Sequence, residues 1–127
     1  MNPTALEWVE KFVTHLSRER RMSPHTTLNY RREIKALAQW CAQQKIDDWS
    51  TLDEQHIRSF AARSHAAGLA PRSIQRRLSA TRSFLRYLQR ERVIAHNPAG
   101  DVRAPKARRP LPRTVDADQM SRLLEIV

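Results

Sequence analysis

The segment that follows Pro71 repeats its apolar residues with the period of an α-helix. At 100° per residue, five of its side chains fall within about 40° of one direction. These five are Ile74, Leu78, Thr81, Leu85 and Leu88. Together with the adjacent Phe84, this stripe predicts a helix from Ala70-Pro71 to about Arg92 that packs one side against a hydrophobic core.

Two further helices are predicted before residue 45. The first runs from Thr4 to about Arg20, with Thr4 and Glu7 as a capping box. The second starts after Ser23, whose hydroxyl caps a helix with proline in its first turn, and reaches about Gln44. The inner face of the first helix is predicted to be Leu6, Val9, Val13 and Leu16, widened by Trp8 and Phe12. That of the second is predicted to be Thr27, Tyr30, Ile34, Leu37 and Cys41.

Another helix is predicted between these segments and Pro71. It opens at Thr51, which forms a second capping box with Glu54, and ends at Gly68, which suits a left-handed C-cap. Trp49 lies in the preceding loop, from which it is expected to cover the core. The inward residues of this helix are predicted to be Ile57, Phe60 and Ala61. Because the chain has only two glycines and few β-branched residues, we expect an all-α, four-helix bundle.

The pattern changes after Asn97. Four prolines exclude a continuous helix, and the stretch is basic. We expect a helical domain at 1–97, a basic interdomain linker at 98–114 and the start of a second domain at 115–127. In that last segment Asp116 and Gln119 resemble a helix start. A helix that ends with the chain at Val127 and has nothing to pack on suggests that the natural protein continues.

The positive charge is localised. The net charge is +10, and residues 72–113 alone hold 12 basic and 2 acidic residues, so the remainder is neutral. Nineteen of the 23 basic residues are arginine, whose guanidinium binds phosphate oxygens and guanine edges with two parallel hydrogen bonds. This distribution favours a polyanion-binding element over a generally basic surface.

The side of the fourth helix opposite its apolar stripe is predicted to be this element. It carries no acidic residue, although like charges at i,i+4 spacing repel one another. Its members are Arg72, Arg76, Arg82, Arg86 and Arg90, with Gln75, Ser79 and Ser83 between them. The second helix offers a weaker companion strip of His25, Leu28, Asn29, Arg31, Arg32, Lys35 and Gln39. Arg77 falls at the edge of the apolar stripe, so we expect it to have a structural role.

Other chemistry is disfavoured by the residue pattern. The five histidines are scattered, Cys41 is the only cysteine, and there is no glycine-rich phosphate loop. We therefore expect no metal, no cofactor and no catalytic residue in this chain. Carboxylates at Asp47-Asp48 and Asp53-Glu54 are expected at a helix start. No apolar run approaches the roughly 18 residues of a membrane span, and a lone cysteine suits a reducing compartment, so a cytoplasmic protein is expected. If the polyanion that it binds is DNA, the protein is also expected to be nucleoid-associated.

Four stretches resemble the tyrosine recombinases. The fourth helix contains Leu78-Ser-Ala-Thr-Arg82-Ser-Phe84, which is similar to the Leu-Ser-Ala-x-Arg-x-Phe signature of that family's N-terminal, core-binding domain. The second helix starts with Ser23-Pro-His-Thr-Thr-Leu-Asn-Tyr-Arg-Arg-Glu-Ile34, and the linker reads Ala104-Pro-Lys-Ala-Arg-Arg-Pro-Leu-Pro-Arg113. The tail Asp116-Ala-Asp-Gln-Met-Ser-Arg-Leu-Leu124 is similar to the first helix of the family's catalytic domain.

The resemblance implies a SAM-like bundle that forms half of a clamp on double-stranded DNA, at a recombination half-site. Its second and fourth helices would face the major groove, and a related recombinase subunit would complete a heterotetramer. The family's catalytic residues lie beyond the linker, so Tyr30 and Tyr87 are not expected to be the nucleophile. The parent would break and rejoin DNA through a phosphotyrosyl link without a metal. Phosphate contacts are expected from the arginines of the fourth helix, from Arg31, Arg32 and Lys35 of the second helix, and from Lys106, Arg108 and Arg109 of the linker. Base contacts are expected from Ser79, Arg82 and Arg86, near the centre of the strip on the fourth helix.

Three alternatives remain open from the sequence. A helix-turn-helix regulator would use the turn at 68–71 and concentrate its contacts around Arg72 and Arg76. The main expectation is a member of the tyrosine recombinase family that acts in chromosome dimer resolution. A fragment of a phage or transposon integrase would belong to the same family but would act in DNA integration instead. A protein-interaction bundle would present the basic face to an acidic partner or to RNA.

Overall fold

Proline in the first turn begins three of the four helices. The computed structural model describes residues 1–104, which form α1 (Pro3–Arg18), α2 (Pro24–Gln43), α3 (Glu54–Ala66) and α4 (Pro71–Arg90), with a 3-10 turn at Trp49–Thr51. Proline begins α1, α2 and α4, where its missing N–H would have had no partner within the helix. There is no strand within residues 1–104, so the all-α prediction is confirmed there. The second-domain helix and the linker beyond Ala104 lie outside the described residues.

The predicted capping box at Thr4 is wrong. The N-cap of α1 is Asn2, whose side-chain oxygen accepts a hydrogen bond from the Ala5 backbone N–H at 2.7 Å. A tertiary contact selects Asn2 as the cap, because its backbone and side-chain N–H groups also donate to the Asp47 carbonyl, at 3.1 and 2.9 Å. Pro3 then occupies the first helical position.

The predicted start of α3 at Thr51 is also wrong. The Thr51 hydroxyl donates to the Asp48 carbonyl at 2.7 Å, which closes the 3-10 turn. The helix begins at Glu54, after an N-cap at Asp53. Asp53 accepts from the His56 backbone N–H at 2.8 Å, and the Asp53 N–H donates to the His56 ring at 3.2 Å, so the capping box lies two residues downstream.

Other helix termini agree with the sequence. Ser23 caps α2 by accepting from the Thr26 N–H at 3.2 Å. Gly68 follows α3 with φ at +94°, the left-handed conformation that glycine adopts without strain. Helix α4 starts at the predicted proline and ends at Arg90, close to the expected end.

The core lies between the four helices, with Ile57, Phe60 and Ala61 of α3 buried in it as predicted, and Trp49 covers one end of it. Trp49 is almost fully buried, as predicted, and its indole N–H donates to the Ala5 carbonyl at 2.7 Å. Its ring meets that of Phe84 edge-on at 4.9 Å, and Phe84 in turn meets Phe12 at 5.3 Å. Leu6 was expected inside but is 46% exposed, because the smaller Ala5 faces the core beneath the indole.

The chain after α4 folds back onto the bundle. Ile94, Ala99 and Val102 are buried in the same core. The domain boundary at residue 97 remains a prediction, and two of these buried residues lie beyond it. None of the helices within residues 1–104 is long and apolar enough to cross a lipid bilayer.

Candidate nucleic-acid interface

The outer side of α4 is a polar strip that contains all of its predicted members except Arg82. Its apolar stripe is buried, with Ile74, Leu78, Leu85 and Leu88 each at most 1% exposed. The other side presents Arg72, Gln75, Arg76, Ser79, Arg86 and Arg90 as exposed residues, with Ser83 half-buried. The sequence has no acidic residue between 55 and 90, so no carboxylate of α4 itself can neutralise this strip.

Arg82 does not lie near the centre of that strip, and the expectation that it does is wrong. It is four residues after the buried Leu78, so at 100° per residue it lies only about 40° from that core position. Its guanidinium is half-buried, and Nη1 donates to the Val102 carbonyl at 2.9 Å. The Asn97 side chain donates to the Arg82 carbonyl at 3.2 Å, so the segment after α4 covers this flank. Burial, followed by the charges of Arg103 and Arg86, lowers the pKa of the Arg82 guanidinium.

Helix α2 brings part of its polar strip against that of α4. Asn29 and Arg32 from α2 and Arg76 and Ser79 from α4 line one open groove between the two helices. The groove encloses about 320 Å³. Lys35, Gln39 and His25 continue the exposed surface along the outer side of α2. Side chains of α2 and α4 that can donate hydrogen bonds therefore line the same groove, as expected if the α2 strip is a companion to the strip on α4.

Arg31 is directed away from this groove. Its Nη2 donates to the Glu10 carboxylate of α1 at 2.8 Å, and its side chain is 39% exposed. Arg31 and the exposed Leu28 instead line a separate groove between α1 and α2. The polar strip predicted on α2 is thus divided between two sides of the helix.

Carboxylates partly neutralise the C-terminal end of the α4 strip. Arg90 donates through Nε to Glu91 at 3.0 Å and lies 4.0 Å from the carboxylate of Glu19 on α1. Its guanidinium also lies 5.3 Å from the centre of the Tyr87 ring. Within residues 1–104, the part of the strip without a carboxylate partner therefore extends from Arg72 to Arg86.

Arg77 has the structural role that its position predicted. Its Nε donates to the Glu33 carboxylate at 3.0 Å, and its Nη1 donates to the Ser64 hydroxyl at 3.1 Å. The guanidinium lies 5.6 Å from the centre of the Phe60 ring. One side chain thereby connects α4 with α2 and α3.

Sequence reasoning did not select Arg103 as a site residue. It is exposed, and its Nη1 donates to the carbonyls of Gly100 and Val102, at 3.0 and 3.2 Å. Only the folding back of the chain places it beside Arg82, and no local pattern could have revealed this. Lys106, Arg108 and Arg109 lie outside the described residues and remain predictions.

Comparison with known families assigns the bundle. The sequence model of the family described as "Phage integrase, N-terminal SAM-like domain" matches residues 9–92, which is most of the described bundle. The chain belongs to this family. The resemblance to tyrosine recombinases is thereby confirmed, as is the SAM-like fold expected of the four helices.

Two curated relatives of this phage integrase N-terminal domain carry the same name. The chain is 43% identical over 117 residues to a protein named tyrosine recombinase XerC from Pseudomonas syringae pv. syringae, which covers 92% of this chain and 39% of the relative. It is 46% identical over 121 residues to a protein of the same name from Xanthomonas campestris pv. campestris. That alignment covers 95% of this chain and 38% of the relative. The chain therefore spans under two fifths of the length of these relatives. No solved structure matches.

Candidate metal ligands and ionisable groups away from the arginine strip can also be located in the described part of the phage integrase N-terminal domain. No group of three histidine, cysteine or acidic side chains within residues 1–104 is placed to hold a metal ion. Cys41 is fully buried, and burial raises the pKa of its thiol to about 12. Tyr87 is half-buried against Phe12 and Trp8, and burial raises the pKa of its phenol. The groups that distinguish this surface are its exposed arginines.

Proposed function

We propose that this chain is the DNA-binding N-terminal domain of a XerC-like site-specific tyrosine recombinase. The observation that carries the proposal is the strip from Arg72 to Arg86, which meets Arg32 of α2 across one groove and has no carboxylate of its own helix to neutralise it. A helix that presents guanidinium and hydroxyl groups in this way suits the major groove of double-stranded DNA, whose walls are phosphates and whose floor presents acceptor atoms.

The exposed polar residues of α2 and α4 fall into two groups, those that can reach DNA phosphates and those that can reach base edges. Arg72, Arg76, Arg32 and Lys35 are exposed and long, so they bind phosphates and hold the domain in register. Ser79, Ser83 and Arg86 lie along the outer side of α4, where a base edge is within reach of a short hydroxyl or an extended guanidinium. His25 extends the contact at the start of α2. Lys106, Arg108 and Arg109 add phosphate contacts that do not depend on sequence.

The activity of the whole protein is part of the same proposal. The parent breaks and rejoins DNA by site-specific recombination, and it acts in the cytoplasm on the nucleoid in chromosome dimer resolution, chromosome partition and cell division. A XerD-type recombinase is its partner in a heterotetramer on DNA. Support comes from relatives that are named tyrosine recombinase XerC and are about twice as long as this chain or more.

A binding experiment tests the proposal. Fluorescence anisotropy is measured on a duplex of roughly 30 bp that carries a Xer-type recombination site and on a scrambled duplex, from about 50 to 300 mM salt. We expect a log–log salt slope of about −5 or steeper and a several-fold preference for the site. The R76A/R86A variant is compared with R58A, whose exposed guanidinium pairs with Glu54 at 3.0 Å. A shallow slope with equal binding to heparin and RNA would contradict the proposal.

One observation favours a helix-turn-helix regulator as the second candidate. Helices α3 and α4 are joined by only four residues, 67–70. A recognition helix of that motif reads bases mainly with its N-terminal residues. If R72A and R76A abolish site preference whereas S79A leaves it intact, this candidate replaces the recombinase domain.

A further inference from the structure

Two guanidinium groups converge on one backbone oxygen at the flank of α4. The Val102 carbonyl accepts from Arg82 Nη1 at 2.9 Å and from Arg103 Nη1 at 3.2 Å. A neutral carbonyl carries only a partial negative charge, so it can orient these two cations but cannot neutralise them. The fold therefore holds two like charges together around a single acceptor.

Arg86 adds a third cation to this cluster. It lies one turn after Arg82 on α4 and is exposed, and its side chain forms no hydrogen bond to another residue within 1–104. The charges of Arg103 and Arg86 both contribute to the lowered pKa of Arg82, which agrees with their closeness. Asp101 is exposed two residues before Arg103, yet it forms no ion pair with any of the three.

Several other arginines of the described residues pair with carboxylates, unlike the three of this cluster. Arg31, Arg77 and Arg90 each contact a glutamate at about hydrogen-bond distance. Arg82, Arg86 and Arg103 form no ion pair with a carboxylate of residues 1–104. Bringing like charges together is unfavourable unless an anion offsets the repulsion. The cluster is therefore complementary to a ligand that carries a full negative charge and several acceptor oxygens.

We propose that Arg82, Arg86 and Arg103 form a phosphate-binding site that takes one phosphodiester group of the nucleic-acid backbone. A phosphodiester has two non-bridging oxygens, so it can accept from several guanidinium groups at once, whereas a guanine edge is filled by one. The Val102 carbonyl fixes Arg82 at the flank, where it reaches a groove wall and not the floor. This inference rests on the proposed function and reassigns both Arg82 and Arg86 from base contact to phosphate contact.

The test compares single variants of the 127-residue chain on the site duplex and the scrambled duplex. R86A and R103A are each expected to lower affinity about tenfold, and by the same factor on both duplexes, because a phosphate contact carries no sequence information. Because the other two arginines still neutralise the shared phosphate, each single variant should reduce the magnitude of the salt slope by less than the roughly 0.9 expected when a whole phosphate contact is lost. R58A removes the same charge from α3 and serves as the control.

Two further variants separate binding from folding. R82A also removes the hydrogen bond that holds the 97–103 segment, so its thermal unfolding is measured beside its affinity. R103K keeps the charge but loses the two-pronged geometry of the guanidinium. It is expected to retain the wild-type salt slope and to bind with intermediate affinity.

Each outcome decides between defined possibilities. If the wild-type chain binds DNA and both R86A and R103A behave like R58A, the phosphate site is wrong while the proposed function stands. If R86A and R103A weaken only the site duplex, the cluster reads bases and the inference is overturned. If the wild-type chain shows no salt-dependent binding to duplex DNA, the proposed function fails and the phosphate site fails with it.

Discussion

The Arg77 guanidinium and the Glu33 carboxylate connect the two helices that carry the proposed DNA surface. Their side chains are 22% and 18% exposed, and Arg77 Nε lies 3.0 Å from Glu33 Oε1. Arg77 also donates to Ser64 of α3, so the pair belongs to a network across three helices. The spacing between α2 and α4, and with it the width of their shared groove, depends on this network.

Breaking the pair should destabilise the bundle. R77A leaves Glu33 without its partner in a mostly buried position, and we expect a loss of about 1–3 kcal/mol in the free energy of unfolding. Urea unfolding followed by circular dichroism measures this loss. The exposed pair of Arg58 and Glu54 is the control, because R58A should change stability by about 0.5 kcal/mol or less. Equal effects of R77A and R58A would rule out a structural role for Arg77.

Removing the Trp49 hydrogen bond should also cost stability. W49F keeps an aromatic ring against Phe84 but loses the buried N–H that donates to the Ala5 carbonyl at 2.7 Å. We expect a loss of about 1–2 kcal/mol, since the smaller ring also leaves space in the core. Guanidinium unfolding by circular dichroism measures it. In the W8F control, the replaced ring is half-buried and its indole N–H donates to no group within residues 1–104, so the loss of unfolding free energy should be smaller.

Adjacent arginines on α2 should affect DNA binding differently. Arg32 lines the groove shared with α4, whereas Arg31 is paired with Glu10. We expect R32A to lower affinity for duplex DNA roughly three- to tenfold and R31A to change it less than twofold, because a paired arginine neutralises little phosphate charge. Anisotropy titration of both variants measures this difference. The reverse order would show that DNA approaches the α1 side of α2.

Cys41 should be inert in the folded chain. Burial raises the pKa of its thiol to about 12, so the reactive thiolate is absent near pH 8. The thiol of the unfolded chain ionises at lower pH, so this group favours the folded state below the unfolded pKa and loses that contribution as the pH rises from about 9 to 12. Labelling with a thiol reagent at pH 8 should proceed only after denaturant is added. Rapid labelling of the native chain would contradict the burial.

The helices could be predicted well because their apolar periodicity is long and regular. Helix α4 is the clearest case, since its stripe fixes both its limits and its buried side. Helix starts were less secure, because several Ser/Thr/Asp positions fit a capping pattern. The choice of Asn2 depends on Asp47, which lies 45 residues away in sequence. Local patterns contain no information about such a partner.

For the candidate site, as for the helices, the exposed side of α4 could be predicted from the sequence but the tertiary partners of its residues could not. Helical position was enough to predict the exposed strip of α4 and the structural role of Arg77. It could not predict that Glu10 binds Arg31 or that Val102 binds Arg82, because these partners come from other parts of the fold. A helical wheel gives the direction of a side chain but not the element that covers it.

The arginine strip also makes the bundle electrostatically frustrated. Arg72 and Arg76, and likewise Arg82 and Arg86, are like charges at i,i+4 spacing, which disfavours the helix by a few tenths of a kcal/mol per pair. Any bound polyanion relieves this repulsion, so DNA is also a stabilising ligand of the fold. Sodium chloride then acts in two opposite directions: screening raises the melting temperature of the free domain while it weakens the complex.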